Sequence, residues 1–239
     1  MNQDNPYFSI SYEALKSSPL FSKVSDETLL EILQNCEPFT WKKKDTISYE
    51  LTKKYCFFIV KGRVKMIQVD PNSGRSVAPF LLSKGDIFDI FCLLDGKEHS
   101  AFYVAVDDVI TIAMPISKAR EFIEKHPEFN QEFLPYLGKM MRQLEEFGYS
   151  LVFYDTTTRL ANLILKHACA DKDNKTKVKL LNNLSHESLA EMIGTVRSVI
   201  TTQLKKLKEE EIILHQKGEI IIKNLEKLLK KLSHPNCKK

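Results

Sequence analysis

Short apolar runs separated by turn residues dominate the first half of the chain. Glycine, proline, asparagine and aspartate cluster at residues 70–74 and 83–86, where they favour tight turns. The apolar runs lie at residues 56–60, 62–69, 77–82, 102–106 and 109–114. Strands this short and this close together predict a small antiparallel sandwich or barrel, a shell that can enclose one small ligand.

Helical periodicity flanks this region on both sides. Residues 11–35 predict one or two short helices, and Ser25 and Asp26 provide a start signal for the second. Beyond the last strand, the pattern predicts a short helix over residues 118–126 and then a longer helix. Pro135 is suited to the first position of that longer helix, because proline lacks the N–H that the first turn leaves unbonded.

The longer helix carries apolar residues at alternating steps of four and three, the pattern of a coiled-coil seam. We expect this seam to join two copies of the chain in a dimer. The alternative is that it packs on its own domain, and Gly138 and Gly148 weaken the helix. The predicted seam residues are Leu137, Met140, Leu144, Phe147 and Leu151.

The C-terminal third predicts two helices joined by a glycine turn. Ser185 is placed to cap the first helix, and Glu187 lies in its first turn, where the helix dipole favours a negative charge. Gly194 follows at the position where a positive φ is needed. This order of elements is typical of the helix-turn-helix, whose second helix lies in the major groove of DNA.

The second helix has one apolar and one polar face. The apolar stripe, at helical spacing, is Val196, Ile200, Leu204 and Leu207. The opposite face carries Arg197, Thr201, Lys205 and Lys208. Arginine can bind guanine O6 and N7 together, while hydroxyls and lysines can hold phosphates. The expected DNA-binding residues are Ser185, Thr195, Arg197, Ser198, Thr201, Thr202 and Lys205.

The alternative interpretation is an ordinary amphipathic helical hairpin with a solvated face. Two apolar runs at residues 212–214 and 220–222, joined at Lys217 and Gly218, argue against it, because they predict a wing beside the helices. Charge does so too. Residues 155–239 contain 17 Lys and Arg against 10 Asp and Glu, a net charge of +7 within a chain of net charge +4. A basic C-terminal third indicates a nucleic-acid binder.

Composition narrows the remaining classes. The chain has 239 residues, 43% of them hydrophobic, which is enough for two folded domains. We expect a cytoplasmic protein that neither spans nor binds a membrane, because no apolar run is long enough to span one and the N-terminus lacks a signal-peptide pattern. Five dispersed cysteines and six scattered histidines form no metal, redox or nucleophile motif. We therefore expect no metal and no enzyme.

The motifs, in this order, resemble the Crp/Fnr superfamily of bacterial transcription regulators over nearly the whole chain. The resemblance is carried by Pro19-Leu-Phe21, Gly62-Arg-Val-Lys65, Gly85-Asp86, Leu94-Asp-Gly96, Asp155-Thr-Thr-Thr-Arg159-Leu-Ala161 and Gly194-Thr-Val-Arg197. It implies an α+β fold with a cyclic-nucleotide-binding-like antiparallel β-roll at residues 11–117, a short helix plus a dimerisation helix at 118–154, and a winged helix-turn-helix at 155–232. It further implies a homodimer on a palindromic double-stranded DNA operator, with RNA polymerase as a partner.

The chain departs from the family at both of its functional sites. Arg197 matches the recognition arginine and Ser185 a phosphate-contacting hydroxyl, but Ser198 and Thr202 replace a glutamate and an arginine, so the usual half-site does not transfer. In the β-roll, cyclic-nucleotide-binding members hold the ribose with a glutamate and the phosphate with an arginine. Ile90 and His99 stand at those two positions. Cyclic AMP is therefore not the expected effector, because its polar groups would be buried without partners.

The expected effector pocket comprises Asp89, Ile90, His99, Ser100 and Leu144. No iron–sulfur cluster is expected, because the family's N-terminal cysteine cluster is missing and the first cysteine is Cys36. Haem stays open, with Met66 and His99 as axial candidates. A small apolar or anionic ligand, or no effector at all, is also open. Two rivals remain: a ligand-binding module that acts through protein contacts without specific DNA binding, and a cupin-like metal enzyme, in which His99 would stand alone.

Overall fold

The computed structural model describes residues 1–97, 101–170, 176–216 and 218–232. The chain forms two compact units. The first comprises residues 1–69 and 80–142, and the second comprises residues 70–79 and 143–239. The division cuts the long helix that was predicted to join the domains. The three predicted functional ranges, 11–117, 118–154 and 155–232, stay a prediction, since compactness alone does not assign function.

Two four-stranded sheets with antiparallel pairing form the roll. The first has the order β1-β8-β3-β6 and the second the order β2-β7-β4-β5. The strands are β1 (Glu37–Trp41), β2 (Thr46–Ile47), β3 (Tyr55–Lys61), β4 (Arg63–Val69), β5 (Ser76–Ser83), β6 (Ile87–Phe88), β7 (Ala101–Ala105) and β8 (Val109–Pro115). The five predicted strands are confirmed as β3, β4, β5, β7 and β8. The sequence analysis missed β1, β2 and β6.

The central strands of the first sheet, β3 and β8, are buried on both faces, which explains why residues 56–60 of β3 are an unbroken apolar run. On the inner face Phe57 stacks on Phe88 at 4.8 Å, and Phe88 meets Tyr103 of the second sheet at 4.9 Å. On the outer face Cys56 and Phe58 join a core built with the helices. Successive side chains of a strand point to opposite faces, so only a strand covered on both sides is apolar throughout.

The helices of the first unit are α1 (Phe8–Lys16), α2 (Asp26–Gln34), α3 (Tyr49–Thr52), α4 (Ile90–Asp95) and α5 (Ile116–Lys125), with a 3₁₀ turn at Pro19–Phe21. The predicted cap of α2 is confirmed, because the Ser25 hydroxyl accepts a hydrogen bond of 3.2 Å from the backbone N–H of Thr28. Helices α1, α2 and α5 contribute apolar side chains to the core on the outer face of the first sheet.

The long helix α6 (Pro127–Phe153) is one continuous element, so the prediction that it begins at Pro135 is wrong. Pro127 takes its first position, and Pro135 lies inside it at the loss of one backbone hydrogen bond. The first two turns form because Phe129 and Phe133 are anchored in the core, with exposures of 3% and 2%. Burial of two aromatic side chains outweighs the low helix propensity of one proline.

The second unit contains α7 (Thr156–Lys166), α8 (His186–Met192), α9 (Arg197–Glu209) and α10 (Leu225–Lys230). Its sheet has the order β11-β12-β10-β9, with β9 (Cys169–Ala170), β10 (Thr176–Lys177), β11 (Ile213–Gln216) and β12 (Glu219–Ile222). The predicted wing hairpin is confirmed as β11 and β12, and its turn residue Lys217 lies outside the described residues. Over the described part of the chain, no helix is both long and apolar enough to cross a bilayer.

Candidate nucleic-acid interface

Helices α8 and α9 form the predicted helix-turn-helix. The Ser185 hydroxyl caps α8 by accepting a hydrogen bond of 3.0 Å from the N–H of Ser188. Gly194 has a φ of +63°, the left-handed conformation expected of it. The N–H of Thr195 then donates to the carbonyl of Ala190 at 2.9 Å, which closes the turn and directs the chain into α9.

The apolar stripe of α9 begins one turn later than predicted. Ile200, Leu204 and Leu207 are buried, but Val196 is 48% exposed, so its assignment to the stripe is wrong. Val196 is the N-cap residue of α9, with an extended backbone (φ −108°, ψ 154°). The helical period does not apply to a residue that precedes the first turn, and the side chain of Val196 therefore points away from the core.

The outer face of α9 carries the predicted contact residues. Arg197, Ser198, Thr201, Thr202 and Lys205 are all exposed. The hydroxyls of Thr201 and Thr202 donate to the carbonyls one turn earlier, at 3.0 and 3.1 Å. The ammonium of Lys205 lies 3.8 Å from Glu209 across the surface of the helix, a pair that solvent screens. Ser185 is exposed beside this face and Thr195 is half-buried in the turn.

A pair of histidines that the sequence analysis missed adjoins the same face. Nδ1 of His186, the first residue of α8, lies 2.8 Å from the hydroxyl of Thr201. That hydroxyl donates its only hydrogen to the carbonyl of Arg197, so the imidazole Nδ1 must be the donor to it. The ring of His215, on β11, lies 5.9 Å from that of His186. No local pattern links positions 186, 201 and 215, because only the fold brings them together.

The turn between the two helices packs closely on the end of α6. A methyl group at Gly194 would overlap the side chain of Leu151, which belongs to the same unit. Nη1 of Arg159, on α7, lies 3.5 Å from the Gly194 carbonyl. Burial lowers the pKa of Arg159 from its ordinary value. Leu151 was predicted as a dimer residue, and here it lies against the helix-turn-helix of its own chain.

The other seam residues divide into two groups. Leu137 and Met140 pack against the core of the first unit, and Leu144 and Phe147 are half-buried. The most exposed apolar side chains of α6 share one face, and two of them, Met141 and Val152, directly follow seam residues. They are Leu134, Met141 and Val152, with exposures of 63%, 71% and 74%. A step of one residue turns the helix by about 100°, so the open face is a neighbour of the predicted one.

The effector-pocket residues are only partly described. Asp89 and Ile90 are buried, whereas His99 and Ser100 lie outside the described residues and Leu144 belongs to the second unit. The N–H of Asp89 donates to the Tyr103 hydroxyl at 3.0 Å, and burial, together with the charge of Asp89, raises the pKa of Tyr103. Ile90 packs into the core on the outer face of the first sheet.

The candidate haem ligands are Met66 and His99. Met66, one proposed haem ligand, is buried, and its proposed partner His99 is not described. Within the described ranges, no three His, Cys, Asp or Glu side chains come together in a way that could hold a metal ion. Cys36, Cys56 and Cys92 are buried free thiols.

Comparison with known proteins agrees with this geometry. Residues 158–231 match the family of Crp-like helix-turn-helix domains, and residues 38–126 match the cyclic nucleotide-binding domain family. The global nitrogen regulator of Nostoc sp. is 28% identical over 174 residues, which cover 70% of this chain and 75% of the regulator. The chain belongs to the Crp/Fnr superfamily of transcription regulators. It is a DNA-binding regulator of transcription with an α+β fold.

More distant similarities extend over most of the chain, and two of them are to solved structures. A CRP-like cAMP-activated global transcriptional regulator of Mycobacterium tuberculosis is 20% identical over 92% of this chain and 98% of its own length. A CooA variant from Carboxydothermus hydrogenoformans superposes with a TM-score of 0.70 at 23% identity, covering 85% of this chain and 90% of that protein. A Crp/Fnr-family regulator from Eubacterium rectale gives 0.65 at 16% identity, covering 90% and 97%. These structures establish the fold alone.

We expect Gly194→Ala to destabilise the second unit more than an ordinary glycine substitution. It combines a positive φ, which costs an L-residue about 1–2 kcal/mol, with overlap against Leu151, which adds about 1–3 kcal/mol. Gly74→Ala is the matched control, because Gly74 has a φ of +67° and open space around it. Urea unfolding of both variants measures the difference. Equal losses would show that the packing of Leu151 does not matter, and Leu151→Ala should recover part of the loss in Gly194→Ala.

Because of the histidine pair, we expect the free energy of unfolding to fall as the solution becomes more acidic. Burial, followed by the charges of His186 and Lys208, lowers the pKa of His215 below its ordinary 6.5. In acid, the native state therefore binds fewer protons at His215 than the unfolded state does. The contribution of neutral His215 to the free energy of unfolding is complete above about pH 6.5, and it is lost as the pH falls through the native pKa. We expect His215→Gln to flatten the fall in unfolding free energy between about pH 7 and 5. An NMR titration of the His215 ring gives the native pKa, and a value at or above 6.5 would contradict the prediction.

Proposed function

We propose that this chain acts as a homodimer that binds a palindromic operator, with one α9 helix in each of two successive major grooves, and that its β-roll receives a signal other than cyclic AMP. The observation that carries the proposal is the division of α9 into a buried apolar stripe and an exposed face of arginine, hydroxyls and lysine. Among the described residues this face is exposed to solvent apart from the contact of Thr201 with His186, and it matches the donors and cations that a DNA groove requires.

Base reading is assigned to the start of α9. Arg197 is exposed at its first residue, where a recognition helix contacts base edges, and its guanidinium is suited to a guanine. Ser198 and Thr202 are too short to reach as far as glutamate and arginine. The half-site therefore has fewer directly read positions than the family's usual one, and its sequence is distinct.

Phosphate contacts are assigned to the rim of the same surface. Ser185, Thr195, Thr201 and Lys205 supply hydroxyls and one ammonium around the outer face of α9. His186 holds the Thr201 hydroxyl in place at 2.8 Å. These groups add affinity and fix the docking register without reading sequence.

The dimer contact is assigned to the open face of α6, which includes Leu134, Met141 and Val152 and is interrupted by Gly138 and Gly148. Three large apolar side chains exposed along one helix favour burial against a second copy, since their transfer from water is favourable. The two glycines allow helix backbones to approach closely. A two-fold dimer presents two recognition helices about one DNA turn apart.

The signal is assigned to a ligand other than cyclic AMP because of Ile90. The residue that would hold ribose hydroxyls in a cyclic-nucleotide-binding relative is here an isoleucine packed in a core. We further propose RNA polymerase as the partner that converts DNA binding into regulation, and the cytoplasm as the location. The relatives' names as transcription regulators support both proposals.

We expect Arg197→Ala to weaken binding to a selected palindromic site by about 1–3 kcal/mol per site and to relax discrimination at one base pair of each half-site. Lys205→Ala is the contrasting variant. It should weaken all sequences alike and flatten the salt dependence, because it removes a phosphate contact. Affinities measured on the selected site and on single-base variants, at several salt concentrations, separate the two. If neither change alters affinity or preference, the assignment of this face to DNA is wrong.

The dimer assignment predicts that Met141→Glu dissociates the protein. A two-fold axis along this face would bring two carboxylates together in an apolar contact, where like charges repel and desolvation is costly. Leu229→Glu is the control, because Leu229 is an exposed leucine on α10. Sedimentation equilibrium should give a monomer for the first variant and a dimer for the second. A dimer that survives Met141→Glu but not Phe147→Glu would restore the seam first predicted from the sequence.

A further inference from the structure

A cavity of about 60 Å³ lies in the first unit, on the outer face of the first sheet. Its walls come from α1, α2, β3, β8, α5 and the start of α6. Cys56 and Phe58 of β3 and Ile112 and Met114 of β8 form its floor. These side chains point away from the roll interior, where Phe57 stacks on Phe88. The thickness of the sheet therefore separates the cavity from the roll interior.

The chemistry of the wall excludes polar and charged occupants. Fifteen residues line the cavity, and no side chain among them carries nitrogen or oxygen. The most polar groups are the thiols of Cys36 and Cys56. Burial raises the pKa of both, that of Cys56 to about 12, so both stay protonated and neutral. A water molecule needs two to four polar partners, and the lining side chains offer it no nitrogen or oxygen.

The volume of the cavity limits the size of the molecule that it can hold. A void of about 60 Å³ exceeds what most protein interiors leave empty. It is well below the roughly 150 Å³ of an apolar cavity known to accept benzene. The occupant therefore has only a few heavy atoms, which excludes nucleotides, haem and aromatic rings. Uncharged apolar molecules of the size of dioxygen or xenon remain.

The position of the cavity connects its occupancy to the long helix. Phe129 and Phe133 form part of the wall, and they are the two buried residues of α6. Their rings lie 5.1 Å apart, and Phe129 also meets Phe21 and Phe122 at 5.2 and 5.4 Å. Any occupant touches the side chains that anchor the first turns of α6, and it stabilises the state in which they are seated.

We propose that this cavity binds one small, uncharged, apolar molecule of about the size of dioxygen or xenon, and that its occupancy tightens the attachment of α6 to the first unit. Neither Asp89 nor Ile90, the described residues of the first unit that were predicted for the effector pocket, lines this cavity. It does not depend on the proposed DNA contacts, because all of its residues belong to the first unit.

Xenon is the probe for the full-length protein. Under xenon pressure, the methyl NMR signals of Ile112, Met114 and Leu93 should shift in a saturable way, and amide hydrogen exchange near Phe133 should slow. Ala119→Leu places a larger side chain in the wall and should abolish both effects. Saturable shifts that persist unchanged in Ala119→Leu, or an absence of shifts in the wild type, would overturn the proposal. So would ordered water found in the cavity by crystallography.

A second pair of variants keeps the test decisive if Ala119→Leu does not fold. Leu93→Ala enlarges the cavity and should allow benzene to bind, with a rise in Tm that depends on benzene concentration. Leu160→Ala removes the same side chain from the core of the second unit. It should leave the xenon shifts at Ile112 and Met114 intact. If benzene stabilises Leu160→Ala but not Leu93→Ala, the site is not where we place it.

Discussion

The structure depends on the burial of two phenylalanines at the start of a 27-residue helix. Phe129 and Phe133 are the buried residues of α6, and every later turn is half-buried or exposed. The helix contains an internal proline and two glycines, which have the lowest helix propensities, and most helical stability in proteins comes from tertiary packing. Two anchoring rings at one end and a turn packed on Leu151 near the other therefore hold the element within its own chain. Between them, Leu134 and Met141 remain exposed, and this exposure is the basis of the proposed dimer contact.

Helix α9 is also divided into a buried face and an exposed face, and the buried face holds the exposed one in a fixed orientation. Ile200, Leu204 and Leu207 fix the helix on its unit, so the orientation of the outer face is set by packing and not by the ligand. DNA recognition needs this rigidity, because a donor that must first be ordered loses part of its binding energy. The contact between His186 and Thr201 extends the principle to a single hydroxyl, whose hydrogen-bonding direction is fixed before DNA arrives.

Much of this fold could be predicted from the sequence, and the failures share a physical cause. Periodicity identified five strands, the helix-turn-helix and the wing, because each follows a regular repeat that burial imposes. Periodicity failed at positions where the regular repeat ends or where tertiary contacts override it. Val196 has helical spacing but precedes the helix, and Pro135 lies within a helix that tertiary anchoring maintains. The dimer seam stays a prediction. Two apolar stripes lie about 100° apart on α6, and the periodicity alone does not tell which of them the chain itself covers. No local sequence pattern indicated that His186 and His215 would lie together.

Ile90 was predicted to stand where cyclic-nucleotide-binding members of the family carry a glutamate. Its side chain is buried in the core on the outer face of the first sheet. At such a position an isoleucine gains by leaving water, whereas a carboxylate would lose its hydration. That core contains both the cavity and the anchor of α6. A ligand that fills the cavity would contact Phe129 and Phe133 of α6 directly. A ligand inside the roll would have to act on α6 through the first sheet.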